Sequence, residues 1–134
     1  MFTRNKLGSP RRKRDGLVSH ILLAEGDVNG GELTVTWVDV ALGSAQRPHG
    51  HGLEQVYVVV EGRGLMRVGD EERHVAAGDL VYVPSGTTRG IINTSDRCLL
   101  TYVSAATPNV DWRAFYHTGP LPSWSEDERE RAGA

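Results

Sequence analysis

One cysteine, Cys98, is all the chain contains, so a disulfide within it is excluded. Cys98 stands in the apolar run Cys98-Leu99-Leu100, which reads as a buried thiol acting as a small hydrophobe. No apolar run approaches the roughly 20 residues that cross a bilayer, and the start, Met1-Phe2-Thr3-Arg4, has no apolar signal core. A cytoplasmic location without a membrane partner is expected. Charge of neither sign dominates, since 15 Lys and Arg stand against 17 Asp and Glu for a net of −2. No overall field points to nucleic acid, and none is expected as a partner.

What is present suits one soluble domain. A chain of 134 residues buries about two-thirds of its unfolded surface without a metal or disulfide staple. Sixteen glycines and six prolines predict many turns. Residues 1–16 read as a flexible basic arm, with Arg4, Lys6, Arg11, Arg12, Lys13 and Arg14 and no acid before Asp15. Residues 17–106 read as the folded domain and 107–134 as a C-terminal extension.

Within the domain, apolar and β-branched runs of strand length recur: Leu17–Leu23, Leu33–Leu42, Val56–Val60, Leu65–Val68, Arg73–Ala76, Leu80–Val83, Arg89–Ile92 and Cys98–Val103. Turn residues separate them, among them Gly30-Gly31, Gly69-Asp70 and Pro84-Ser85-Gly86. Short, evenly spaced strands without amphipathic helices predict an all-β antiparallel sandwich or barrel. The runs at 56–60, 80–83 and 99–103 are apolar on both alternating faces, which a half-exposed sheet should not be. The outer face then needs a cover, either the two terminal segments or a second subunit. A homodimer packed through a sheet face is expected.

The chemistry-bearing segment is Arg47-Pro48-His49-Gly50-His51-Gly52-Leu53-Glu54-Gln55. In extended chain His49, His51 and Gln55 share one face while Glu54 points away. Two imidazoles and an amide oxygen can hold a first-row divalent ion with positions left open. Two loop histidines beside glycines would have the same spacing. Tyr57 shares the parity of Gln55 and should face inward, to line a pocket or to pack. Trp37, with Val35 and Asp39 on its face, has the same two readings.

The wider frame resembles the cupin superfamily. The first cupin motif is a glycine, five residues, His-x-His, three or four residues, an acid, six residues and a glycine. Here Gly43, His49, His51 and Gly62 match, with Gln55 at the acid's place. The second motif is a glycine, five residues, Pro-x-Gly, two residues, a histidine, three residues and an asparagine. Gly78, Pro84, Gly86 and Asn93 match, with Arg89 at the histidine's place. The resemblance spans roughly residues 30–105 and implies an antiparallel jelly-roll β-barrel with a pocket at its mouth.

The resemblance further implies a divalent ion (Fe, Mn, Ni, Cu or Zn) on His49, His51 and Gln55. Arg89 departs from that set. A guanidinium cannot ligate, and its charge repels a dication at low effective dielectric. An anionic substrate bridging the two would resolve the conflict. Arg89 then acts as an anion clamp, with Tyr57 and Trp37 as further candidates for substrate contact. Its other reading is an arginine whose head leaves the pocket for a surface acid. The first expectation for function is thus a small-molecule enzyme of isomerase, cyclase, decarboxylase or dioxygenase type with an anionic or enolisable substrate. The alternative is a metal-free binding module, or a metal-independent cyclase or isomerase, that holds a carboxylate or sugar through Arg89.

Overall fold

The computed structural model describes residues 1–49 and 53–108, residues 46–49 by their backbone alone. Ten strands follow a short 3-10 turn at Lys6–Gly8: β1 Arg11–Arg14, β2 Leu17–Leu23, β3 Thr34–Val40, β4 Ala45–His49, β5 Glu54–Glu61, β6 Arg63–Val68, β7 Glu71–Ala76, β8 Leu80–Val83, β9 Arg89–Asn93 and β10 Leu100–Thr107. They form two antiparallel sheets, one of six strands in the order β1-β2-β3-β10-β5-β8 and one of four in the order β4-β9-β6-β7. From β3 to β6 and again from β7 to β10 the chain crosses to the other sheet at every step, as in a jelly roll.

Alternation along each strand sets the interior. In β3, Thr36, Val38 and Val40 are buried and face inward, while Val35, Trp37 and Asp39 face out. The apolar core joins Val38, Val40, Tyr57, Val59, Leu100 and Tyr102 of the larger sheet to Met66, Val75 and Ile91 of the smaller. The Tyr57 and Tyr102 rings lie 4.9 Å apart within it.

Motif residues carry this turn geometry. Gly43, Gly62, Gly78 and Gly86 all have positive φ, the backbone region that a β-carbon disfavours. Gly62, at the β5–β6 turn, also lies so close to Leu99 that a β-carbon would stand 2.3 Å from its carbonyl oxygen. Asn93 is 2% exposed, and its Nδ2 donates to the carbonyls of Val40 (3.0 Å) and Cys98 (3.0 Å) while its Oδ1 accepts from the Ser95 amide (2.9 Å). It ties the loop before β10 to the end of β3.

Two expectations need correction. Cys98 is exposed, because the apolar run it begins is not one strand: Ser95 Oγ accepts from the amides of Arg97 and Cys98 and holds them in a turn, and β10 starts at Leu100. The basic arm is not loose in its second half. Arg11–Arg14 pair antiparallel with Leu17–His20 and extend the larger sheet by a strand. Earlier in the arm, Arg4 pairs with Asp27 (2.6 Å) and Lys6 sits over the Trp37 ring. The C-terminal extension from residue 109 onward lies outside the described residues.

The N-terminal segment therefore covers the β2–β3 part of the outer face. The β5–β8 part keeps Val60, Leu80 and Tyr82 exposed. None of the described residues form a helix long and apolar enough to cross a membrane.

Candidate functional site

The larger sheet's inner face can be read as rows of cross-strand neighbours. Thr34, Ala106, Gln55 and Val83 make one row, and Ile21, Thr36, Ser104, Tyr57 and Val81 the next. A third row, Ser19, Val38, Tyr102 and Val59, is apolar apart from Ser19 at its β2 end. The first two rows bring Thr34, Gln55, Thr36 and Ser104 together at the end of the interior reached by Arg89 from the smaller sheet.

Arg89 has 0% exposure. Its inward parity with Ile91 and Asn93 sends the side chain into the barrel, so the reading in which its head escapes to a surface acid does not hold. All five of its N–H groups have acceptors. Nε donates to Thr87 O (3.0 Å), one terminal nitrogen to Gln55 Oε1 (2.9 Å) and Leu53 O (3.3 Å), and the other to Thr87 O (2.7 Å) and Pro84 O (3.3 Å). Every one of these acceptors is neutral, and no carboxylate among the described residues pairs with it. Burial pulls the guanidinium down from its ordinary value, an effect that nearby Tyr57 partly offsets. Among the described residues, this positive charge is met by neutral dipoles.

Gln55 is the second member. Because arginine can only donate, the amide end that meets Arg89 must be the oxygen. The other end, Nε2, then donates to Ser104 Oγ at 3.1 Å, and Ser104 Oγ lies 2.9 Å from Thr36 Oγ1. Arg89, Gln55, Ser104 and Thr36 form one buried chain across both sheets. Sequence reasoning missed Ser104 and Thr36. The available signal was the pair of small polar residues at inward positions of strands whose inward residues also include Val38, Val40, Leu100 and Tyr102.

The remaining expected site residues fall as follows. Tyr57 is fully buried and inward-facing, as its parity with Gln55 predicts. Trp37 is corrected: it stands on the outer face opposite Thr36 and Val38, under Lys6, with its Nε1 donating to Asp39 Oδ1 (3.3 Å). It lines no interior pocket. Asp39 is likewise outward and collects Thr101 Oγ1 (2.7 Å), Lys6 Nζ (3.5 Å) and His20 Nε2 (3.8 Å). His49 and Gln55 do not share one extended strand. β4 belongs to the smaller sheet and β5 to the larger, and the backbone of His49 pairs opposite Arg89. His51, and the side chain of His49, lie outside the described residues.

A divalent ion can be tested against this donor set. Gln55 Oε1 is the only oxygen it could offer, and it already accepts a 2.9 Å bond from a guanidinium. An ion there would face a buried like charge at close range, with no carboxylate among the described residues to offset it. In this geometry Gln55 Oε1 is committed to Arg89 and would have to leave it to serve as a ligand. Among the described residues no three His, Cys, Asp or Glu side chains converge as a metal group.

The comparisons with known proteins agree with this architecture. Residues 36–105 match the model of the cupin domain. The chain belongs to the cupin family. Its relatives include the uncharacterized protein MJ1618 of Methanocaldococcus jannaschii, 33% identical over 85 residues, which are 63% of this cupin and 68% of that protein. Among solved structures, a predicted oxalate decarboxylase from Thermotoga maritima superposes with a TM-score of 0.71 at 18% identity, covering 81% of this cupin and 99% of that chain. The polyketide cyclase RemF from Streptomyces resistomycificus gives 0.70 at 18% identity, covering 97% and 91%. At such identities the likeness shows the jelly-roll fold and leaves activity to the residues.

Proposed function

We propose that this cupin takes a small organic anion into the polar end of its barrel and acts on it without a metal ion at Gln55, in the manner of an isomerase or cyclase. The observation that carries the reading is the buried Arg89 guanidinium, held among neutral acceptors with no counter-ion in the described residues. A preorganised cation in a low-dielectric interior stabilises a carboxylate or a developing enolate more than water does. Its two longest bonds, at 3.3 Å to Leu53 O and Pro84 O, are the ones an incoming carboxylate would displace. Tyr57 supplies an aromatic wall beside it, and His49 and His51 are the proton carriers in this reading. The names of two structural neighbours, a predicted oxalate decarboxylase and a polyketide cyclase, support an oxygen-bearing organic substrate.

The test is an NMR titration of metal-stripped protein with pentanoate at pH 7. Saturable shifts at Gln55 and Arg89, with weaker binding in Arg89→Gln and none in Gln55→Glu, would support the reading, since a glutamate there neutralises the cation. Binding that requires an added divalent ion, or that is indifferent to Arg89, would overturn it.

A further inference from the structure

Donor hydrogens do not balance along the buried chain. Ser104 and Thr36, 5% and 7% exposed, have two hydroxyl hydrogens between them and one bond in common. Ser104 Oγ already accepts from Gln55. Whichever hydroxyl donates to the other, one O–H is left uncommitted. The second Nε2 hydrogen of Gln55 likewise has no acceptor among the described residues. A separate observation lies in the neighbouring row, where Thr34 Oγ1 is buried and has no partner there. Leaving buried donors unmade costs about 1–3 kcal/mol each, so an array of this kind calls for an acceptor to occupy it.

We propose that the uncommitted hydroxyl of the Ser104–Thr36 pair, flanked by the Gln55 amide, binds a second oxygen of the same substrate, the carbonyl or enolate oxygen of an oxo acid whose carboxylate lies at Arg89. This rests on the reading of the site as an anion pocket and narrows it to a substrate class. The array offers donors and no charge, which suits an oxygen that gains negative character as an enolate forms. Ser104 and Thr36 are then groups in contact with the substrate. Aliphatic monocarboxylates, which lack the second oxygen, leave the array unfilled.

The experiment compares pentanoate with 2-oxopentanoate and 4-oxopentanoate by NMR titration of the wild-type chain. At least one oxo acid is expected to bind about three- to tenfold more tightly than pentanoate, the range of one net hydrogen bond. Thr36→Val frees the Ser104 hydroxyl and should keep that preference. Thr36→Val with Ser104→Ala removes both hydroxyls and should bring it below twofold while pentanoate affinity holds. Equal binding of all three acids by the wild type, with pentanoate still dependent on Arg89, overturns this inference and leaves the anion pocket standing. A preference retained in the double variant also overturns it. Failure of all three acids to bind overturns both.

Discussion

Replacing Arg89 by Met keeps an unbranched apolar stem and removes the charge and its five donors. Four oxygens lose a donor. Two of them, on Pro84 and Thr87, belong to residues that reach solvent and can be rehydrated. The other two, Leu53 O and Gln55 Oε1, belong to buried residues and lose a donor that solvent does not replace. At about 1–3 kcal/mol for each buried charge-assisted bond lost, the loss is about 2–6 kcal/mol. Relief of a desolvated charge that lacks a counter-ion offsets part of it, leaving a net destabilisation of about 2–4 kcal/mol. For a domain of this size that is a fall in Tm of roughly 6–15 °C, to be read by calorimetry and urea unfolding at pH 7. Arg89→Lys retains the charge but only three donors, and should fall between the two. A Tm for Arg89→Met within about 2 °C of the wild type would refute the reasoning, because it would mean that the guanidinium does not hold the interior oxygens in solution.

Three further outcomes follow from the geometry. Gly62→Ala should lower stability by more than the ordinary cost of about 1 kcal/mol for an unsuitable backbone residue, since its β-carbon meets the Leu99 carbonyl at 2.3 Å; a urea midpoint equal to wild type would contradict this. Asn93→Ala should cost about 2–4 kcal/mol and speed hydrogen exchange at the Ser95 amide, which loses its acceptor. His20 is held below its ordinary value of 6.5 by burial and by Lys6, with Arg11 adding and Asp39 opposing. The native state therefore favours neutral His20, and the unfolded chain binds the proton more readily. The stability this contributes is complete above pH 6.5 and is lost as pH falls below it. His20→Asn should flatten that part of the stability curve, and an unchanged slope would rule out His20 as its source.

Much of the fold was legible because a jelly roll writes itself as alternation and turns. Leu17–Leu23 and Leu80–Val83 coincide with β2 and β8, and the motif glycines mark positions where the backbone needs positive φ. The two strands not anticipated are β1, whose four cationic residues look like solvated tail, and β4, whose proline and histidine look like loop. Both are held in place by tertiary pairing, to which local propensity is blind. At the site, the parity of Gln55 and Tyr57 led to the interior correctly. The single extended strand expected to carry both His49 and Gln55 is not formed, because the chain changes sheets between them, a step that spacing does not record. The partners of Arg89 were out of reach for a related reason. Three of its acceptors are backbone carbonyls, which no side-chain motif names.

The strand that the basic arm contributes has a consequence for assembly. β1 ends the six-stranded sheet and presents Arg11, Arg12, Lys13 and Arg14 along its length. A neighbouring molecule that tried to continue the sheet there would have to lay its own strand beside four cations and hold them at close spacing. Natural sheets discourage aggregation at open borders by the same means. One border of the larger sheet is thereby closed to growth from chain to chain, and the stretch that composition marks as a disposable tail acts as an electrostatic stop.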